Sequence, residues 1–479
     1  MGAHEEICSR VLEAITPKPG ERRKVMSLAK SVVERLKSLL EAEGVKAEVR
    51  LEGSLAKDTW LSGEADVDIF VRFRPDVPKE FFKTRFLELA RKATEGYRQV
   101  ERYAEHPYLE CLADGVRVNV VPCYDVKPGE WLSATDRTPY HTDFIKANLP
   151  DRLKGDVRLL KKFMKGIGAY GAEIRVGGFS GYLCELLVMY YGGFLEVLKG
   201  ALRWRKGALI DLAGHYKGRE EEAREFFRHH LIVVDPVDPY RNVAAPVRLE
   251  KMCLFMAAAR EFLLRPSETF FFPPKPGPPD PRELRDMLRA RGTSLLAIYT
   301  RVEGMAPDVL WGQVFRTLRA LRGTLGRAGF EVLRTAGWSD EQEHCVLLLE
   351  LASSRLPPVV KKVGPPVWVE EHVERFLRKN MADPGLVSGP YVEGDRWVVL
   401  VKRKWPDAKE FLAKRLSEEG GRQIGVAPLL ARCVGEGFQV LEGEELAELC
   451  RKLEGFSEFL RNFLIGRPAW LVGRSGEAG

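Results

Sequence analysis

The residues best suited to chemistry are Asp66 and Asp68, with Gly53-Ser54 upstream of them. Ala65-Asp-Val-Asp-Ile-Phe-Val-Arg-Phe73 alternates in polarity. As a strand it puts Asp66, Asp68, Phe70 and Arg72 on one face and Val67, Ile69, Val71 and Phe73 on the other. Both carboxylates then point the same way, and with a third carboxylate from a neighbouring strand they can clamp a pair of hard divalent cations. A Gly-Ser turn gives backbone amides close access to phosphate oxygens. Nucleotidyl transfer from a nucleoside triphosphate needs both devices. The triphosphate must be neutralised, a ribose hydroxyl activated and the leaving pyrophosphate stabilised.

The elements that must position these groups are legible from periodicity. Leu and Val recur at helical spacing from Val25 to Leu40, and helix is expected to about Glu43; Ala47–Glu52 then alternates as a half-buried strand that Gly53-Ser54 interrupts. Tyr108–Ala113 and Val116–Val121 flank Asp114-Gly115, a type I′ hairpin signal, with Asn119 in the second strand. The pattern is helical from Asp156 to about Leu198, with breaks near Tyr170-Gly171 and Gly177-Gly178, and again from Leu249 to Leu264. Pro266 and the proline-rich run 272–281 predict a stiff connector. Beyond it come a strand (295–302), a helix (311–328) and strands near 331–335 and 344–351. Val363-Gly-Pro-Pro366 reads as a second break, followed by a helix, a strand pair through 391–401, a helix after Asp407 and a last helix over 444–464.

Gly53-Ser-Leu-Ala-Lys-Asp-Thr-Trp-Leu61 followed by Asp66-Val-Asp-Ile-Phe70 resembles the signature of the archaeal-type, class I CCA-adding enzymes of the polymerase-β nucleotidyltransferase superfamily. More specific motifs follow in that family's order: Val120-Val-Pro-Cys-Tyr124, Asp136-Arg-Thr-Pro-Tyr-His141, Val157-Arg-Leu-Leu-Lys161, Gly178–Leu187, Val234-Asp-Pro-Val-Asp238 and Arg241-Asn-Val-Ala-Ala245. The resemblance runs through about residue 265 and is weaker beyond. It implies an α+β multidomain chain: a polymerase-β-like nucleotidyltransferase head with a mixed sheet and helices (1–145), a helical nucleotide-binding neck (146–270), a small α+β body (282–362, completed by 440–470) and a tRNA-binding tail (363–439). It implies template-independent addition of C, C and A to the tRNA 3′ end from CTP and ATP with two magnesium ions. Asp66 and Asp68 would hold metal and Gly53, Ser54 and Lys57 the triphosphate. His141, Lys161 and Tyr170 would contact the nucleotide, and Arg241 would help read its base. A homodimer is also implied.

The family's third metal-binding carboxylate falls at Asn119, where this chain has an amide. An Asn oxygen can bind a hard cation, but it brings no charge and accepts no proton. Asp114 has the wrong parity to replace it, and Asp125 lies beyond Pro122, where the strand is expected to stop. Nucleotide binding with weak turnover is therefore expected. Three accounts fit that amide: an engineered inactive form, a lineage using Asn as a neutral ligand, and a homologue that binds tRNA without catalysis. A poly(A) polymerase or an oligoadenylate synthetase is the alternative enzyme reading.

The net charge of +7 is too modest to mark a nucleic-acid binder by itself, but its clustering is informative. Arg316, Arg319 and Arg322 recur every three residues with Arg327 following. Arg203-Trp-Arg-Lys206 and Lys402-Arg403-Lys404-Trp405 mix cations with an aromatic, a composition suited to phosphates and exposed bases. These point to a grip on the tRNA acceptor arm. The eight cysteines show no zinc spacing, no apolar run approaches the roughly 20 residues of a membrane span, and the acidic N-terminus lacks an export signal. A cytoplasmic protein is expected.

Overall fold

The computed structural model describes residues 2–103, 106–274, 277 and 279–471. Of the expected proline connector, Lys275, Pro276 and Pro278 lie outside the described residues. The chain forms two compact units, Met1–Lys275 with Pro468–Gly479, and Pro276–Arg467.

The first unit opens with α1 (Ala3–Ile15) and α2 (Pro19–Ala42), divided at a proline-flanked turn. Val25, Ala29, Val32, Leu36 and Leu40 form the buried stripe of α2, three or four residues apart as one helix face requires. Strands β1 (Ala47–Glu52) and β2 (Asp66–Phe73) are joined through the short helix α3 (Gly53–Lys57). Then come α4 (Lys79–Lys83), α5 (Arg85–Ala93), β3 (Arg98–Tyr103), β4 (Pro107–Ala113) and β5 (Val116–Tyr124). The sheet order is β1-β2-β5-β4-β3, with β2 and β5 parallel and the other pairs antiparallel, so it is mixed. Val67, Ile69, Val71 and Phe73 are buried against α2 and α5, which leaves the alternate residues of β2 on the opposite face. Asp114 and Gly115 both have positive φ, as a type I′ turn demands.

One expectation fails here. β5 continues through Pro122 to Tyr124, pairing Pro122 with Val71 of β2. Pairing with β4 reaches only Val120, so the missing amide of Pro122 removes no ladder bond on that side.

The rest of the first unit comprises α6 (Arg137–Asn148), α7 (Lys154–Gly166), α8 (Gly181–Tyr191), α9 (Phe194–Ala201), α10 (Glu220–Phe227) and α11 (Leu249–Leu264). The expected breaks fall between α7 and α8. Short strands on either side of α10 add a small sheet that helical periodicity does not reveal: β6 (Ala208–Ile210) before it, and β7 (Leu231–Asp235) and β8 (Asp238–Asn242) after it. Phe163, Phe194, Phe255, Phe262, Phe270 and Phe271 fill the core of this part, and Trp470 near the C-terminus stacks on Phe270 at 5.4 Å. Trp204 is also in that core, donating to Tyr191 Oη at 2.8 Å, so it is no exposed base-stacking surface. Its large apolar area outweighs the cations that flank it in sequence.

The second unit contains α12 (Pro281–Ala290), β9 (Ser294–Arg301), α13 (Pro307–Ala328), β10 (Val332–Ser339), β11 (His344–Leu351), β12 (Val359–Pro366), α14 (Glu370–Met381), β13 (Leu386–Glu393), β14 (Arg396–Lys402), α15 (Ala408–Ser417), α16 (Pro428–Glu436), β15 (Phe438–Glu442), α17 (Leu446–Lys452) and α18 (Phe456–Ile465). A β10-β11-β9-β15 sheet carries α13, α15 and α16 on one face and α12, α17 and α18 on the other. Residues 408–434, assigned to the tail from sequence, pack on this sheet because Phe411, Leu412, Leu416 and Leu430 join its core. The smaller sheet is β12-β14-β13. Val363-Gly-Pro-Pro366 is not a break: it ends β12, an edge strand with an irregular register between Val363 and Pro366, where prolines are tolerated. The expected last helix is two, α17 and α18, separated at Gly455, whose φ is +76°. No single helix among the described residues is long and apolar enough to cross a membrane.

Candidate active site

The site is built where α3 leaves β1. Gly53 has φ +70°, and a Cβ there would fall 2.1 Å from Asp68 Oδ2. Only glycine permits both this backbone and this approach. The turn and the carboxylate therefore specify one another. Asp66 and Asp68 are half-buried on the open face of β2, and burial raises both carboxyls from their ordinary value. Asn119 Nδ2 donates to Asp68 Oδ1 at 2.9 Å, which partly opposes the rise. Two carboxylate groups and an amide oxygen are hard ligands of the kind magnesium takes. Among the described residues no three His, Cys, Asp or Glu side chains converge as a ready metal cage.

The residues after Gly53 are held from α7 and α2. Arg158 of α7 donates through Nη2 to Asp58 Oδ1 at 2.6 Å and through Nε to Trp60 O at 3.0 Å; Arg22 of α2 reaches Asp58 Oδ1 at 2.6 Å. This fastening directs Lys57 inward. Lys57 Nζ donates to Glu185 Oε2 at 2.6 Å, while Lys161 Nζ donates to Glu185 Oε1 at 3.1 Å and to Thr59 Oγ1 at 3.0 Å. Thr59 Oγ1 in turn donates to Glu185 Oε1 at 2.6 Å. All four side chains are buried. Burial alone would raise Glu185, but the two ammonium groups overcome it and hold the carboxyl down to about 2. Burial lowers Lys161, with Lys57 acting in the same sense and Glu185 against it. Two ammonium charges share one carboxylate, leaving an excess positive charge that suits a polyanion. Tyr170 adjoins them: a Cβ on Gly181 would meet Tyr170 Oη at 2.9 Å and Lys161 Nζ at 3.5 Å.

A second cluster centres on Asp235 at the end of β7. His141 Nε2 lies 2.8 Å from Asp235 Oδ2, Arg241 Nη1 donates to the same oxygen at 2.7 Å, and Tyr182 Oη donates to Oδ1 at 3.2 Å. His141 stacks on Tyr182 with ring centres 4.2 Å apart, and Lys57 Nζ lies 5.6 Å from the Tyr182 ring, which joins the two clusters. Burial lowers His141 despite Asp235, and the partners of Asp235 hold its carboxyl down against its own burial. Asp235 therefore orients a histidine and an arginine as an anion.

Of the residues singled out from sequence, Gly53, Ser54, Lys57, Asp66, Asp68, Asn119, His141, Lys161, Tyr170 and Arg241 all belong to the first unit. Arg316, Arg319 and Arg322 are exposed on α13 in the second unit, as are Lys402 and Lys404 near the end of β14, while Arg403 is half-buried and donates to Pro357 O at 3.1 Å. Sequence reasoning missed Glu185, Asp235, Tyr182 and Arg158 as site residues. A signal existed for two of them: Glu185 is the only charged residue of α8, and Asp235 ends an otherwise apolar strand. A lone charge in a buried run calls for a partner.

Three family models match: a nucleotidyltransferase domain over residues 29–143, the second domain of tRNA nucleotidyltransferase over 155–272, and the C-terminal domain of CCA-adding enzyme over 291–443. The CCA-adding enzyme of Methanothermobacter thermautotrophicus is 42% identical over 464 residues, covering 95% of this chain and 97% of its own. That of Methanosarcina acetivorans is 38% identical over 465 residues (96% and 98%), and that of Halobacterium salinarum 41% over 445 (92% and 95%). With identity of this order along nearly the whole chain, and a nucleotidyltransferase head carrying the paired carboxylates, the chain belongs to the CCA-adding enzyme family.

Proposed function

We propose that this chain adds C, C and A stepwise to the 3′ end of tRNA, without a template, from CTP and ATP. The observation that carries this reading is the placement of a buried, net positive Lys57–Glu185–Lys161 group beside the Gly53 turn that cradles Asp68. In it, Ser54 and Lys57 bind the triphosphate, Lys161 and Tyr170 contact the nucleotide, and His141 and Arg241, both held by Asp235, face the base. Asp66 and Asp68 hold magnesium, with the Asn119 oxygen as a neutral ligand. Two such ions would supply neutralisation of the triphosphate and of the departing pyrophosphate. The neck completes the nucleotide pocket, and the exposed arginines of α13 with Lys402, Arg403 and Lys404 grip the acceptor arm through backbone phosphates.

Asn119 leaves this site one charge short of three carboxylates, so turnover is slower than an aspartate there would give. Partners that only orient metal ligands are worth about 10- to 100-fold, and loss of a ligand's own charge costs at least as much. The test is incubation of tRNA ending before CCA with CTP and ATP, resolved one nucleotide at a time, for this chain and for Asn119→Asp. Two C additions followed by one A, faster in the variant, is the expected result. Runs of A would favour a poly(A) polymerase, and tRNA binding without incorporation by either protein would favour a non-catalytic homologue.

A further inference from the structure

β5 lies between β2 and β4, and the register aligns Asp68 with Asn119 and Asn119 with Glu110. Directly paired residues project to the same side of a sheet, so Asp68, Asn119 and Glu110 stand in one row on the open face. The adjacent row pairs Asp66 with Arg117. Arg117 Nε is 3.8 Å from Asp66 Oδ1 and 3.9 Å from Glu110 Oε2, beyond hydrogen-bond length to either. It screens two carboxylates without committing to one of them.

The amide between the carboxylates is turned for that arrangement, with Asn119 Nδ2 donating to Asp68 Oδ1. In this rotamer the amide turns its N–H, not its oxygen, toward Asp68. Rotating the amide about its last torsion exchanges the two atoms: Oδ1 comes to the Asp68 side, and Nδ2 to the side of β4, where Glu110 stands in register.

We propose that Glu110 supplies, from β4, the negative charge that position 119 lacks, by accepting Asn119 Nδ2–H and so holding the amide oxygen toward the cation of Asp66 and Asp68. Glu110 is then a positioning residue, and the pair Asn119–Glu110 divides between two side chains what one carboxylate does: the amide provides the ligand oxygen and the glutamate the charge. Metal-ligating groups are commonly oriented by an outer carboxylate in this way. The inference rests on the metal-site reading above. Arg102 offers Glu110 a different task, since its Nη2 donates to Glu110 Oε1 at 3.0 Å. An ion pair with an arginine as exposed as Arg102 contributes little to stability and gives no link to a cation site.

The experiment titrates Mn2+ alone into the full chain and follows free Mn2+ by electron paramagnetic resonance, with thermal melting to confirm that each variant is folded. Glu110→Gln should weaken Mn2+ binding about 10-fold or more. Asn119→Asp introduced into Glu110→Gln should restore it, and Glu110→Gln should matter less when residue 119 is already Asp. Equal Mn2+ affinity in Glu110→Gln and the unmodified chain overturns the proposal, as does failure of Asn119→Asp to restore binding in folded protein. Asp68→Asn separates the two levels of inference: if it leaves Mn2+ binding intact, the metal-site reading itself falls. If only Asp68→Asn weakens binding, the site stands and the role of Glu110 falls.

Discussion

The lysine pocket and the carboxylate face adjoin one another, yet the protein satisfies them to different degrees. Lys57, Lys161, Thr59 and Glu185 are buried in a closed set of short hydrogen bonds, drawn from α3, α7 and α8 and fastened by Arg158. Asp66 and Asp68 have one amide and a loosely placed arginine between them, and burial raises both carboxyls. One region carries more positive charge than its own partners cancel, the other more negative charge. A triphosphate with its cations has the matching distribution. The lysine group is thus preassembled by the protein's own contacts, whereas the carboxylate face keeps charge that its own partners leave uncancelled.

The largest test removes the shared anion of the lysine pocket. Glu185→Gln leaves two buried ammonium groups without a counter-charge and should cost about 3–5 kcal/mol, read from urea unfolding at neutral pH. Because the folded-state value of Glu185 is depressed to about 2, its contribution is present above the ordinary glutamate value and is lost as pH falls toward 2. The gap between variant and unmodified chain should therefore close in acid. A gap that persists unchanged there would show that the ionised carboxylate is not what stabilises the pocket.

On the carboxylate face the same kind of change should have the opposite signature. Asp68→Asn is expected to lower CMP incorporation about 100-fold or more. Since burial raises Asp68, its stabilising protonated form is present below the ordinary aspartate value and is lost as pH rises through the raised one. At neutral pH without divalent cations the variant should melt no lower than the unmodified chain. A clear drop in its melting temperature would erase the contrast between the regions.

Gly53→Ala tests the seam between them. An alanine at φ +70° whose Cβ falls 2.1 Å from Asp68 Oδ2 should cost about 1–3 kcal/mol and displace that carboxylate, so incorporation should fall further than stability alone accounts for. The smallest effect is expected in the second unit. Replacing Arg316, Arg319 and Arg322 by alanine one at a time should leave stability within about 0.5 kcal/mol. Each that contacts a phosphate should make the salt dependence of tRNA binding shallower by about 0.7–0.9 in slope.

Local pattern alone determined much of the head. Period-2 alternation puts Asp66 and Asp68 on one face, and β2 keeps that parity; the Asp114-Gly115 signal marks a real turn, and the spacing from Val25 to Leu40 is the buried stripe of α2. The ordered motifs also carried the family assignment, because they are short and contiguous. Where local rules met a longer range they failed. Pro122 continues a strand since β4 no longer pairs there, and Trp204 is buried since the core around Phe163 and Phe255 takes its ring. What only the tertiary structure decided is which distant charges meet: Glu185 with Lys57 across 128 residues, Asp235 with His141 and Arg241, and Glu110 in register with Asn119. Periodicity tells which face a side chain takes. Its partner is set by strand register and helix packing, which depend on the burial of the whole core and leave no spacing in the sequence to read.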